Sequence, residues 1–157
     1  MNSTDIATWT PMFRKIAFFS VFNDDEIALF LQHGELKKYG FHEFIVREGD
    51  TDSTFFVIIK GSVKVVKKIV FNQRKQLGEL ESGACFGEMS FLLGETRQAD
   101  IMATEQTYIY EIDSTKINQM GTESREKFFK ELSIMFALKL KNSNLRAEDF
   151  HEAHKNR

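Results

Sequence analysis

The spacing of apolar positions changes twice along the chain and marks three zones. In residues 11–33, Phe13, Ile16 and Ala17 recur at helical intervals. Asn23 or Asp24 can cap a second helix that runs through Ile27, Phe30 and Leu31, and Gly34 ends it. Asp24, Asp25 and Glu26 place negative charge at that helix's start, where the macrodipole favours it. From Glu35 to about Asp113 the period becomes two. The runs 44–46, 54–59, 62–67 and 107–112 are rich in β-branched and aromatic residues, with turn signals at Glu48-Gly49-Asp50, Lys60-Gly61 and Glu81-Ser82-Gly83. In the third run Val63 and Val65 alternate with Ser62 and Lys64, although Val66 breaks the alternation. No crossover helix separates these strands, so they predict an antiparallel roll or jelly roll, not a parallel sheet. Helical spacing returns from Glu123 to about Leu145, with Phe128, Leu132, Met135 or Phe136, and Leu140 in one apolar stripe. The expected class is mainly β with flanking helices, an α+β arrangement.

Size and composition add limits. At 157 residues, 42% apolar and 28% charged, the chain can bury a substantial core, and one domain over 1–157 is expected. Its parts are a helical lead-in at 11–33, a roll at 35–113, C-terminal helices at 114–145 and a frayed polar tail at 146–157. Sixteen phenylalanines against one proline imply a core of large rings. The net charge of −2 points to neither nucleic acid nor an anionic membrane. No apolar run reaches the ~20 residues of a membrane helix, and no signal pattern opens the chain. A cytoplasmic protein without membrane insertion is therefore expected. Cys85, the single cysteine, excludes an internal disulfide and a multi-cysteine zinc site, and reads as a small buried hydrophobe. Of the four histidines, His33, His42, His151 and His154, the last two share a helical spacing but lie in the polar tail, where solvation accounts for them.

Residues 83–100 carry the chemistry. Gly87 opens a short helix, Glu-Met-Ser-Phe-Leu-Leu, whose N-terminus presents unpaired N–H groups suited to an anion. Arg97 follows beyond Gly94, and an arginine fork beside such amides suits a phosphate through two charge-assisted bonds. Glu88 can accept from a hydroxyl. An isolated arginine or glutamate is more often a solvated surface charge, so these residues alone leave both readings open.

The segment FGEMSFLLGETRQAD closely resembles the phosphate-binding cassette of cyclic nucleotide-binding domains, with Phe86, Gly87, Glu88, Met89, Leu92, Arg97 and Ala99 at the matching positions. Residues 45–50 resemble the family's Glu-Gly-Asp turn, residues 56–65 its strand–Gly–strand hairpin, and Ile16 to Leu31 its helical lead-in. The likeness covers about residues 13–142. It implies an eight-stranded β-roll that binds cyclic AMP or cyclic GMP. By that resemblance Arg97 pairs with the exocyclic phosphate oxygens and Glu88 accepts from the ribose 2′-hydroxyl. N–H groups near Gly87, Ser90 and Gln98 complete the cradle, within a ligand-contact set that includes Met89 and Ala99. Val63 and Phe86 are candidates for the wall around the base. A C-terminal lid would close over the base through Leu138, Leu140 or Asn144.

Departures from the pattern are His42-Glu43 where Gly-Glu is usual, Gln98 after the arginine, and Asp100 where Thr, Ser or Asn is frequent. The base preference stays open, with a slight lean to adenine. No nucleophile–base pair, metal cluster or second cofactor motif accompanies the cassette, so a non-enzymatic sensor acting on an unidentified effector protein is expected. The alternatives are a degenerate scaffold of the same fold that no longer binds nucleotide and, remotely, a cupin-like metalloenzyme. Fifteen residues follow Asn142, too few for a helix-turn-helix module, so nucleic acid is not an expected partner. The Met1 start favours a stand-alone chain over an excised domain.

Overall fold

The computed structural model describes the backbone of residues 3–70 and 73–155 and the side chains of residues 5–70 and 73–143. The chain forms two compact units, Met1–Gly121 and Thr122–Arg157.

In the first unit, α1 (Ser3–Arg14) leads through a 3-10 turn (Ala17–Phe19) into α2 (Asp24–His33). Asn23 caps α2 by a reciprocal box: its side chain accepts from Glu26 N–H, and its own N–H donates to the Glu26 carboxylate, each at 2.9 Å. Eight strands follow: β1 (Glu35–Tyr39), β2 (Phe44–Val46), β3 (Thr54–Lys60), β4 (Ser62–Lys68), β5 (Arg74–Glu81), β6 (Cys85–Phe86), β7 (Asp100–Ala103) and β8 (Thr107–Asp113). The helix α3 (Glu88–Leu93) separates β6 from β7, and α4 (Ser114–Gln119) follows β8. The strands form two antiparallel four-stranded sheets, ordered β1-β8-β3-β6 and β2-β7-β4-β5. The fold is thus a β-roll with flanking helices.

The phenylalanines are divided between two sides of one strand. Toward the roll interior, Phe56 and Ile58 of β3 pack with Val46, Val63, Phe86, Ile101 and Ile109. On its opposite face, Phe55 meets Phe18 at 5.3 Å and Phe91 at 5.8 Å. Phe13, Phe19, Phe22, Phe30 and Tyr110 continue that aromatic cluster through tilted and edge-on contacts. A strand covered on both faces reads as an unbroken apolar run, which is why Phe55 to Ile59 do not alternate. In β4, Val66 is buried, and beside it the β4–β5 register shifts, with Leu77 of β5 as the extra residue of a bulge.

Two features depart from the sequence reading. The lead-in begins at Ser3, ahead of residue 11, and carries Pro11 within α1. In the second unit, α5 (Thr122–Lys155) continues past Leu145 into the polar tail expected to fray, since no Gly or Pro follows Gly121. The departure at His42 is also explained. His42 adopts φ 64°, the left-handed region that suits the usual glycine. Its ring stacks on Phe41 at 3.7 Å, and its N–H donates to Ala103 C=O at 2.9 Å, so the turn is formed without glycine.

The junction of α2 and β1 is closed by Tyr110, whose hydroxyl donates to Phe30 C=O at 2.6 Å in a buried setting. Gly34 N–H donates to the same carbonyl, and a Cβ on Gly34 would lie 2.4 Å from the Tyr110 ring. Tyr110→Phe leaves that carbonyl one donor and is expected to cost about 1 kcal/mol. Gly34→Ala, which collides with a buried ring, is expected to cost more, both read from urea denaturation midpoints.

Candidate functional site

The cassette is clamped to β3 from both sides. Phe86 stacks on Phe56 at 4.7 Å with an interplanar angle of 7°, while Phe91 of α3 reaches Phe55 on the other face. Between them Gly87 turns the chain at φ 80° and caps α3. A Cβ there would stand 2.7 Å from Arg97 Nη1, 2.7 Å from Phe56 and 2.9 Å from Thr54 C=O. Glycine is needed twice over, for its dihedral and for the space it leaves. Gly94 ends α3 in the same left-handed region, at φ 67°.

Arg97 is 3% exposed, and most of its guanidinium N–H groups are engaged within the protein. Nε donates to Asp52 Oδ2 at 3.0 Å, and Nη2 donates to Asp52 Oδ1 and, at 2.8 Å, to Thr54 C=O. Nη1 donates to Gly87 C=O at 3.1 Å. Among the described residues these bonds use four of its five N–H groups and leave one on Nη1. The guanidinium also lies 5.1 Å from the centre of the Phe56 ring. The backbone locks the same residue to the Glu48-Gly49-Asp50 turn: Arg97 N–H donates to Asp50 C=O and Gly49 N–H to Arg97 C=O, each at 2.8 Å.

Asp52 was not among the residues singled out from the sequence. It stands 45 positions before Arg97, in a loop whose other acids, Glu48 and Asp50, look equivalent in one dimension. Burial pushes its carboxyl up, but the Arg97 fork and the Thr54 N–H outweigh that and hold it below its ordinary value.

The remaining expected residues fall in different places. Val63 and Phe86 belong to the roll core. Ser90 is buried, Glu88 and Ala99 are half-buried, and Met89 and Gln98 are exposed, with Gln98 Nε2 donating to Thr96 C=O at 3.1 Å. Asp100 is buried. Its Oδ1 accepts from Glu48 N–H at 2.8 Å, while Oδ2 makes no hydrogen bond among the described residues and faces Arg74 Nη1 at 3.6 Å, an ion-pair distance. Its charge is thus turned to the Glu48 turn and to β5. Val65 lies opposite Gly78, an exposed position of β5 where a Cβ would meet nothing within 4 Å. Leu138 and Leu140 are exposed along α5, and the side chain of Asn144 lies outside the described residues, as do those of His151 and His154. Among the described residues no three His, Cys, Asp or Glu side chains gather where they could hold a metal ion, and no helix is long and apolar enough to cross a membrane.

Gly87→Ala is expected to destabilise the fold by more than about 1 kcal/mol, since it combines a positive φ with three close contacts. A lower thermal midpoint is the check. Because the Asp52 pKa is depressed on folding, its contribution to stability is present above its ordinary value near 4 and is lost as pH falls through the depressed value. Asp52→Asn should therefore be less stable than wild type at neutral pH and show a shallower loss below about pH 4, read from denaturation at stepped pH.

Comparison with known proteins agrees with this architecture. The cyclic nucleotide-binding domain family matches residues 36–124, more than half of the chain. Human cGMP-dependent protein kinase 2 is 31% identical over 119 residues, which are 73% of this chain and 16% of the kinase. The cAMP-activated global transcriptional regulator CRP of Pasteurella multocida is 30% identical over 122 residues, 77% of this chain and 58% of that protein. The chain thus spans only part of the length of these relatives. Among solved structures, a cyclic nucleotide-binding domain from Methylobacillus flagellatus superposes with a TM-score of 0.77 at 20% identity, covering 91% of this chain and 82% of that one. The catabolite activator protein of Thermus thermophilus gives 0.72 at 22%, covering 83% and 61%. At such identities the superpositions speak for the fold. Together with the residues matched in sequence, they show that this chain belongs to the cyclic nucleotide-binding domain family.

Proposed function

We propose that the chain is a non-enzymatic sensor of a cyclic nucleoside monophosphate, cyclic AMP or cyclic GMP, that regulates a protein effector. The observation that carries this reading is the buried Arg97 held against the Gly87 turn. A buried guanidinium with a spare N–H, next to the first-turn amides of α3, is chemistry for a ligand phosphate diester. The diester is a permanent anion, and it would share Arg97 with Asp52, whose side chain is part-exposed at the rim. Glu88 then accepts from the ribose 2′-hydroxyl, the apolar faces of Val63 and Phe86 back the base, and Ser90, Met89, Gln98 and Ala99 border the phosphate and sugar. Binding would shift the C-terminal helices between two arrangements, in proportion to the difference in affinity of the ligand for each. Cytoplasmic signalling fits this role.

A second reading follows from one feature. Arg97 already has an internal counter-ion in Asp52, as a scaffold that had lost its ligand would require. Titration calorimetry separates the two. Saturable heat with either nucleotide supports the sensor, whereas no heat at millimolar nucleotide with folded protein supports the scaffold. Arg97→Ala is expected to weaken binding by about 2–5 kcal/mol, with circular dichroism confirming that the variant is folded. Wild type should bind a 2′-deoxy analogue about 1–3 kcal/mol more weakly than the parent nucleotide, and Glu88→Ala should narrow that gap.

A further inference from the structure

One buried carboxylate lies outside the proposed nucleotide contacts. Asp100 opens β7 three residues after Arg97 and is 1% exposed. Its two oxygens have different surroundings. Oδ1 accepts from Glu48 N–H at 2.8 Å. Oδ2 makes no hydrogen bond among the described residues, and the cation facing it is Arg74, the first residue of β5, at 3.6 Å. A buried carboxylate without a counter-charge is costly, so Arg74 is the group that makes an ionised Asp100 tolerable. The Arg74 side chain is exposed, and its guanidinium also lies 5.8 Å from the centre of the Phe44 ring, within cation–π range. Glu48 is pinned twice, since its carboxylate accepts from Lys68 N–H at 2.9 Å. The two residues after it hold the backbone of Arg97, through Gly49 N–H to Arg97 C=O and Arg97 N–H to Asp50 C=O. A surface cation on β5 is thus joined to the buried arginine through one carboxylate and one three-residue turn.

We propose that Asp100 and Arg74 are positioning residues for the phosphate site, a role that rests on the sensor reading. When a diester shares Arg97 with Asp52, the guanidinium loses part of its side-chain anchorage, and the bonds from its backbone to the turn carry more of its placement. Asp100 fixes that turn through Glu48, so loosening it disfavours the bound state more than the free one. Charge acts in the same sense. Asp100 lies on the same short segment as Arg97, and a carboxylate there without its counter-ion opposes the entry of an anion. Arg74 offsets that repulsion from outside the site. Loss of the Arg74 charge therefore lowers affinity beyond any loss of stability.

Arg74→Gln, at an exposed position that the fold tolerates, tests this on the full chain by titration calorimetry with cyclic AMP and cyclic GMP. Affinity is expected to fall about fivefold, the scale of coupling carried by a packed network, and Arg74→Lys, which keeps the charge, should restore most of it. Asp100→Asn keeps an acceptor for Glu48 N–H and removes the charge that Arg74 balances. In that background Arg74→Gln should change affinity by less than about twofold, a dependence that a merely structural role for Arg74 would not produce. Amide hydrogen exchange without nucleotide reads the brace by itself: Glu48 and Gly49 N–H should exchange faster in Arg74→Gln than in wild type. Wild-type affinity in Arg74→Gln, an equal loss in the Asp100→Asn background, or unchanged exchange at both amides would overturn the inference. Absence of saturable heat with the wild-type protein would instead remove the sensor reading and this role with it, an outcome that the exchange measurement separates from failure of the brace.

Discussion

Arg97 brings a full positive charge into a place from which water is excluded, and the surrounding segments are arranged to satisfy it. Its bonds reach the loop ahead of β3, the first residue of β3 and the glycine that opens α3, while its backbone holds the Glu48-Gly49-Asp50 turn. A buried charge stripped of its partner costs about 3–5 kcal/mol, so these segments are not free to separate while the guanidinium stays inside. The same contacts set the size of residue 87. Arg97 Nη1, the Phe56 ring and Thr54 C=O converge where a Cβ would be, and the local conformation is closed to ordinary side chains as well.

Asp52 gives the site its electrostatic character. Without it the pocket would be a buried cation waiting for any anion. With it Arg97 is half of an ion pair, and on the proposed reading a diester would have to share or displace Asp52, so affinity would depend on the difference between two ionic arrangements and not on raw attraction. Asp100 belongs to a neighbouring network instead. It ties β7 to the Glu48 turn and to Arg74, and so couples the hairpin to the segment on which the Arg97 backbone hangs.

Much of this was legible in the chain because it is local. The Asn23 cap, the runs that became β2, β3, β4 and β8, the glycine-opened α3 and the cassette residues all declare themselves within a few positions. What escaped depends on pairing across distance. The strand β5 has the sequence RKQLGELE, polar enough to pass for loop, and is a strand because β4 supplies its hydrogen bonds. Asp52 could not be told from Glu48 or Asp50 until the fold brought one of them to Arg97. Asp100 stood out in the sequence only as a departure from the family pattern, and its partners, the Glu48 N–H and Arg74, are set by the fold and not by its neighbours in the chain. Even the family's missing glycine at position 42 proved compatible, since a histidine holds the left-handed conformation with help from a stacked ring.

The double covering of β3 has one more consequence. A strand hydrogen-bonded on both edges, to β6 and β8, and shielded above and below by aromatic rings, can expose its amides to solvent only through large-scale opening. The cassette is fastened to that strand and not to a rim, so its attachment persists through the small local fluctuations that loosen exposed β5. Hydrogen exchange would find the anchorage of the cassette among the last regions of the roll to lose protection.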